Sequence, residues 1–136
     1  MQTEVVKVAD VMQTSLHTID GVASVASAIA EMGRLKVSSL VISHRHEGDE
    51  YGVVTVQDIA SRVVGLNRSA KRTSVYEIMT KPALTISAEM HVKYAIRLLA
   101  RLGLSRALVM REEEVVGMVT LRDLVIGYRE SESAAS

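Results

Sequence analysis

Two short motifs could do chemistry, because each places a hydroxyl and a carboxylate three residues apart after an apolar run. They are Thr55-x-x-Asp58 and Thr120-x-x-Asp123. The apolar runs predict strands followed by helices, so each pair is expected at a helix N-terminus. There, free backbone amides and the helix dipole favour a phosphate, and a carboxylate can accept both vicinal hydroxyls of a ribose. The same residues also form a helix cap that needs no ligand, and for a single copy the cap is favoured.

Positively charged side chains accompany only the second motif. Before the second motif stands Ser105-Arg106, and the equivalent place before the first motif has Ser38-Ser39. Within the second motif stands Arg122, and the equivalent place in the first motif has Gln57. A guanidinium can bind a phosphate through two parallel hydrogen bonds, whereas serine offers only neutral ones. We therefore expect tighter phosphate binding beside Arg106, although an arginine is most often simply solvated.

Other kinds of site are not indicated. The chain has no Cys, and its four histidines lack the spacing of a zinc site. It contains no Gly-x-Ser-x-Gly elbow, no phosphate loop and no Gly-x-Gly-x-x-Gly motif. Because no pair of nucleophile and base can be named, we predict no catalytic residue, no metal and no enzymatic activity. The four histidines are His17, His44, His46 and His91.

Both motifs belong to an internal repeat. The run that begins at Gly52 returns at Gly117, an offset of 65, and Thr18-Ile19 returns as Thr85-Ile86, an offset of 67. The two-residue slip falls in charged stretches, where a turn tolerates a change in length. Matches on both sides of such a turn indicate two structurally equivalent halves.

One secondary-structure pattern serves both halves: a short strand, a helix, two strands and a closing helix, or β-α-β-β-α. Helical spacing predicts the first helix over residues 22–35, and Ser87 is predicted as the N-cap of its counterpart. The strands of each pair are apolar throughout, which predicts sheets covered on both faces. We place the repeats at 1–66 and 75–129, an exposed connector at 67–74 and a frayed tail at 130–136.

Composition limits the partners that this protein can have. The chain has 136 residues, 48% of them apolar, with 16 Lys and Arg against 16 Asp and Glu. Zero net charge gives no global attraction to nucleic acid or acidic membrane, and there is no Phe or Trp on which bases could stack. A polar start and the absence of Cys predict a cytoplasmic protein.

These features together resemble a known family. With Asp10-Val11-Met12 and Glu77-Ile78-Met79-Thr80 opening the halves, the chain resembles a tandem pair of CBS domains, the Bateman module. The resemblance implies an α/β (α+β) fold in which two β-α-β-β-α CBS repeats pack as one pseudo-twofold unit. It also implies an adenosine ligand in the cleft between the repeats, and a homodimer.

The resemblance assigns roles to individual residues. Asp58 and Asp123 would hold ribose hydroxyls, Thr55 and Thr120 would contact ribose or phosphate, and Arg122 would lie beside the phosphate. The remaining site residues that it implies are Thr18, Ile19, Ser38, Ser39, Leu40, Thr85, Ile86, Ser105, Arg106 and Ala107.

The function that the resemblance implies is that of a stand-alone regulatory module. It would bind AMP, or else ADP or ATP, as a ligand rather than a cofactor, and would sense energy or metabolite state for a partner protein that the sequence does not name. Two alternatives stay open at this point: a ligand-free dimeric scaffold for protein interaction, and a module that binds S-adenosylmethionine.

Overall fold

A computed structural model describes residues 5–43 and 49–129 of the chain. The strands are β1 (Thr18–Ile19), β2 (Ser39–Ile42), β3 (Gly52–Thr55), β4 (Thr85–Ser87), β5 (Arg106–Arg111) and β6 (Glu114–Thr120). The α-helices are α1 (Val8–Val11), α2 (Val25–Leu35), α3 (Val56–Arg62), α4 (Val92–Leu102) and α5 (Leu121–Gly127). Two short 3-10 helices cover Val64–Leu66 and Val75–Glu77.

The strands form two three-stranded sheets of identical topology. In the order β1-β2-β3, the first pair is parallel and the second antiparallel, and β4-β5-β6 repeats this arrangement. The parallel pairs are joined by α2 and α4, as a parallel connection requires. The predicted β-α-β-β-α order is therefore confirmed in both halves, and the fold is the mixed α+β arrangement predicted.

Burial follows the apolar runs. All four residues of β2 are buried, as are the first three of β3 and three central residues of β5. Each sheet packs with its own helices around a separate apolar core, one of them containing Leu40 and the other Leu99. Because both faces of the central strands are covered, their sequences are apolar without alternation.

The predicted starts of two helices are wrong by several residues. The first helix begins at Val25 rather than at Val22, because Ser24 caps it by accepting the Ser27 amide at 3.0 Å. Val22 is 62% exposed, and its amide donates to Asp20. In the second half Ser87 is the last residue of β4 and not an N-cap; α4 begins only at Val92.

Each compact unit contains the opening segment of the other repeat. We call residues 7–13 and 74–80 the first and second opening segments. The first unit consists of residues 16–83, so it includes the second opening segment, whereas residues 5–15 pack with residues 84–129 in the second unit. This division differs from the repeat boundaries predicted at residues 66 and 75, because the opening segments are exchanged.

Matching backbone pairs show the exchange directly. Gln13 forms an antiparallel bridge with Met118 in β6, and Thr80 forms the corresponding bridge with Val53 in β3. Apolar side chains accompany the bridges: Val8 is fully buried in the second unit, and Val75 and Ile78 are fully buried in the first. The opening segments are therefore part of the cores and not flexible leaders.

The predicted connector at 67–74 is exposed over most of its length but is anchored. Thr73 is buried, and its carbonyl accepts the Val25 amide at 2.8 Å, while the Ala70 carbonyl accepts the Ala26 amide at 2.9 Å. These bonds satisfy first-turn amides of α2. The predicted tail at 130–136 lies outside the described residues.

Candidate functional site

The first candidate site is the junction where β3 ends and α3 begins. The Asp58 amide donates to Thr55 Oγ1 at 3.1 Å, and the Thr55 amide donates to Asp58 Oδ2 at 3.0 Å. The Val56 amide donates to the Ser38 carbonyl at 2.9 Å, which ties the junction to the start of β2. The Thr-x-x-Asp motif is thus a complete reciprocal cap.

The second junction, between β6 and α5, repeats these contacts. The Asp123 amide donates to Thr120 Oγ1 at 3.0 Å, the Thr120 amide donates to Asp123 Oδ2 at 3.1 Å, and the Leu121 amide donates to the Ser105 carbonyl at 2.8 Å. The capping interpretation is therefore confirmed at both junctions. Since α3 and α5 have only seven residues each and two of their first three amides are bonded, the helix ends give little independent support to a phosphate site.

The caps still leave each carboxylate partly available. In the described part of the chain, Oδ1 of Asp58 and Oδ1 of Asp123 take part in no hydrogen bond. Both side chains are half-buried at the surface of their unit. A capping carboxylate with a second, unengaged oxygen can accept a hydrogen bond from a ligand without giving up the cap.

Asp123 has one side-chain contact that Asp58 does not make with any residue that the structure describes. The side-chain amide of Gln13 donates to Asp123 Oδ2 at 2.9 Å, from a residue 110 positions away in the sequence. Gln13 reaches the junction because it pairs with Met118 of β6, and Met118 is two residues before Thr120. Sequence reasoning missed this residue, and the only signal for it is that Gln13 corresponds to Thr80 in the repeat.

Arg106 and Arg122, the two arginines predicted for the second junction, both lie there. Arg106 is paired with Thr120 across β5 and β6; its side chain is half-buried, and its Nε atom is removed from solvent. Arg122 is exposed on the first turn of α5. The corresponding residues of the first junction are Ser39, paired with Thr55, and the exposed Gln57. The predicted difference in charge between the two junctions is therefore present in the structure.

The other predicted site residues separate into exposed and buried groups. Thr18, Thr85, Ser38 and Ser105 are exposed at strand ends. The side chains of Leu40, Ile86 and Ala107 are buried in the cores, and Ile19 packs against the first core. Only the backbone of the core residues could therefore line a site. The proposed contacts of this set with a ligand stay predictions.

Ion pairs also link the first opening segment to the rest of the second unit. Glu89 accepts from Lys7 Nζ at 2.8 Å and from Arg111 at 3.3 Å. Hydrogen bonds from Lys7 and Arg111 lower the pKa of the Glu89 carboxyl, and the bond to Glu89 raises the pKa of Lys7. Because these groups are exposed, the ion pairs contribute little to the free energy of unfolding, and we do not regard them as a ligand site.

Within residues 5–43 and 49–129, no cluster of three His, Cys, Asp or Glu side chains could hold a metal ion. His17 and His91 lie in that part of the chain, whereas His44 and His46 fall outside it. No helix in the described segments has the length and apolar character needed to span a bilayer.

Comparison with known proteins places the chain in a family. The family model described as CBS domain matches twice, at residues 8–65 and at residues 75–129. The chain belongs to the CBS domain family. The predicted tandem CBS pair is therefore confirmed, and CBS-domain proteins are generally regulatory modules without catalytic activity.

Relatives and solved structures agree with this assignment. The CBS domain-containing protein YhcV of Bacillus subtilis is 27% identical over 129 residues, covering 95% of this chain and 90% of that protein. The hexameric CBS-CP12 protein from bloom-forming cyanobacteria is 34% identical, with a TM-score of 0.86 over 90% of this chain and 71% of that chain.

Two further comparisons bear on length and on ligands. The chain spans only 45% of the uncharacterized protein MK0525 of Methanopyrus kandleri, to which it is 24% identical over 90 residues. The CBS domain pair of protein MJ0100, solved with 5′-methylthioadenosine and S-adenosyl-L-methionine, shares the fold at a TM-score of 0.78 and 23% identity, over 90% of this chain and 95% of that chain.

Proposed function

We propose that this CBS pair binds an adenosine compound at its strand-to-helix junctions, with AMP as the first candidate and ADP or ATP next. The observation that carries the proposal is the duplicated junction: each unit presents a capped Asp whose Oδ1 takes part in no hydrogen bond in the described part of the chain. A carboxylate in this position can accept ribose hydroxyls. The MJ0100 pair, which has the same fold and was solved with two adenosine compounds, also supports the proposal.

The arginines favour a phosphorylated ligand at the second junction. Arg106 and Arg122 bring positive charge to Thr120 and Asp123, and a guanidinium is well suited to a phosphate. The first junction has neutral side chains in the corresponding places, so nothing there favours a phosphate over another substituent on the adenosine. S-adenosylmethionine, which carries a positively charged sulfonium instead of a phosphate, is the second candidate, supported by the MJ0100 complex.

The proposed role is to sense adenosine compounds on behalf of a partner protein. A ligand can change a distant surface only if it binds two states of the protein with different affinity. The adenosine compound is then a regulatory ligand and not a cofactor, and the chain itself carries out no reaction. We place this role in the cytoplasm.

We extend the proposal to a homodimer formed through an apolar face of the first unit. A hollow of about 470 Å³ between α2 and α3 is lined by apolar residues and one glycine. At its rim Ile29, Val56 and Val64 are 43%, 48% and 68% exposed. Contiguous exposed apolar groups of this kind mark interaction surfaces, and the hexameric CBS-CP12 protein is an assembled relative. The lining consists of Ile29, Met32, Gly33, Val37, Val56, Ile59, Ala60 and Val64.

Val64→Asp should weaken this association. A carboxylate buried in an apolar contact has no partner, so we expect the dimer to dissociate at least about tenfold more readily. Sedimentation velocity over a concentration series measures the shift. Val22→Asp, at an exposed residue of the same unit that does not line the hollow, is the matched control and should leave the association unchanged. Wild-type protein that stays monomeric throughout the series would contradict the dimer.

Asp123→Ala should remove both the cap and the ligand contact at the second junction, and Asp58→Ala should do the same at the first. We expect each change to lower the free energy of unfolding by about 1 kcal/mol through loss of the cap. We also expect AMP affinity at the altered junction to fall at least about tenfold, since a ribose loses its acceptor. Titration calorimetry with AMP, ATP and S-adenosylmethionine, together with thermal unfolding, measures both effects.

Asp10→Ala is the control for the cap alone. Asp10 Oδ2 accepts the Lys7 amide at 2.9 Å in the first opening segment, so its removal costs a cap without touching either junction. If Asp123→Ala behaves like Asp10→Ala, losing stability but keeping AMP affinity, the Thr-x-x-Asp motifs are caps only. The ligand-free scaffold would then be the better description of the protein.

A further inference from the structure

The two junctions differ in how fully their carboxylates are engaged. Oδ2 of Asp123 accepts two hydrogen bonds, from the Thr120 amide at 3.1 Å and from the Gln13 side-chain amide at 2.9 Å. Over the described residues, Oδ2 of Asp58 accepts only from the Thr55 amide, at 3.0 Å. Among the described residues, therefore, the second junction has an internal side-chain donor to its carboxylate and the first junction does not.

Gln13 is held in place by its backbone and not by this side-chain bond. Its amide donates to the Met118 carbonyl at 2.8 Å, and its carbonyl accepts the Met118 amide at 2.9 Å. Thr80 makes the same two backbone bonds with Val53, at 2.8 and 3.0 Å. The two positions are thus matched in backbone and differ in side chain. Gln13 is long enough to reach the carboxylate of its junction, Asp123, whereas threonine is shorter.

The Gln13 side chain occupies a place that a ligand would need. A vicinal diol binds a carboxylate most fully when each hydroxyl donates to a different oxygen. At Asp58 both oxygens can take part, whereas at Asp123 one of them already has two donors. Gln13 is exposed, so a ligand can displace its side chain, but only by giving up a charge-assisted hydrogen bond.

We propose that Gln13 is an internal competitor for the ribose at the second junction, and so a residue that sets its specificity. This inference rests on the proposed function of the junctions. The second junction then holds the ribose through Oδ1 of Asp123 alone, relies more on phosphate beside Arg106 and Arg122, and distinguishes ribose from deoxyribose less sharply than the first junction does. The first junction, without a competitor, depends on the diol and distinguishes the two sugars well.

Gln13→Ala tests the proposal, with Thr80→Ala as the matched control at the equivalent position. AMP and 2′-deoxy-AMP are titrated into the intact protein, and the backbone amide signals of Asp58 and Asp123 in ¹⁵N–¹H spectra report the two junctions separately. We expect Gln13→Ala to raise AMP affinity at Asp123 about threefold to tenfold, the factor that one hydrogen bond contributes. Affinity for 2′-deoxy-AMP should rise less, and Thr80→Ala should alter neither junction.

The side-chain amide signals of Gln13 give a direct second measurement. In the wild-type protein they should shift together with the Asp123 signal as AMP is added. AMP binding at Asp123 that is unchanged or weaker in Gln13→Ala would overturn the competitor role while leaving the proposed function intact. No response of either junction to AMP, ATP or S-adenosylmethionine would instead overturn the proposed function, and the competitor role with it.

Discussion

Replacing Gly117 with alanine is expected to lower the free energy of unfolding by about 2–3 kcal/mol, the upper part of the range typical of overpacking a filled core. A Cβ at this position would lie 2.7 Å from Met12 Sδ and 2.8 Å from the Gln13 carbonyl oxygen. The sulfur can move, but the carbonyl is fixed by its hydrogen bond to the Met118 amide. The glycine that begins the repeated motif is therefore required for the approach of the first opening segment.

Gly52, the equivalent glycine of the first unit, provides the matched control. A Cβ there would meet only side chains, Met79 Sδ at 3.1 Å and Ile42 Cγ1 at 3.3 Å, so we expect Gly52→Ala to cost less than about 1 kcal/mol. Gly33→Ala, in the open interior of α2, should stabilise by about 0.5–1 kcal/mol. Urea unfolding measures all three. Equal losses at Gly117 and Gly52 would show that the carbonyl contact does not matter.

A fragment of residues 16–83 should fold cooperatively, whereas a fragment of residues 1–66, cut at the repeat boundary, should not. The first fragment keeps every buried residue of the first core, including Val75 and Ile78. The second fragment lacks both of these side chains, each fully buried. Their burial contributes roughly 3–6 kcal/mol, which is comparable with the whole stability of a small domain.

Circular dichroism during thermal unfolding separates the two fragments. We expect a sigmoidal transition for residues 16–83 and a flat, non-cooperative curve for residues 1–66. Residues 16–83 carrying Ile78→Ala test whether the second opening segment is responsible, because loss of a buried isoleucine costs about 2–5 kcal/mol. Cooperative folding of residues 1–66 would contradict the assignment of the second opening segment to the first core.

The order of elements could be predicted because it depends on local patterns that occur twice. Apolar runs such as Leu40-Val41-Ile42 mark buried strands wherever they stand in a sheet. The start of a helix is harder to predict, because spacing records which side chains share a face and not where the helix begins. Val22 fits the helical spacing, yet the Asp20 side chain takes its amide and Ser24 provides the cap.

The caps of the candidate site could be predicted from the sequence. The differences between its two junctions could be predicted only in part. Thr55 and Asp58 are three residues apart, so their reciprocal bonds follow from the sequence alone. The contrast between Arg106 and Ser39 could also be predicted from the repeat. The bond from Gln13 to Asp123 could not, because a repeat shows which segments are equivalent but not which unit each one joins.

Because the opening segments are exchanged, the ribosome completes the two units in sequence. Residues 16–83 can close around the second opening segment while the remainder of the chain is still being synthesised. Val8 and Met12 are made earlier, but the strand and helix that cover them come last. Asp123 follows Gln13 by 110 positions, which take roughly 6 to 22 seconds to synthesise at about 5–20 residues per second. For that interval the first opening segment presents apolar side chains that a chaperone could bind.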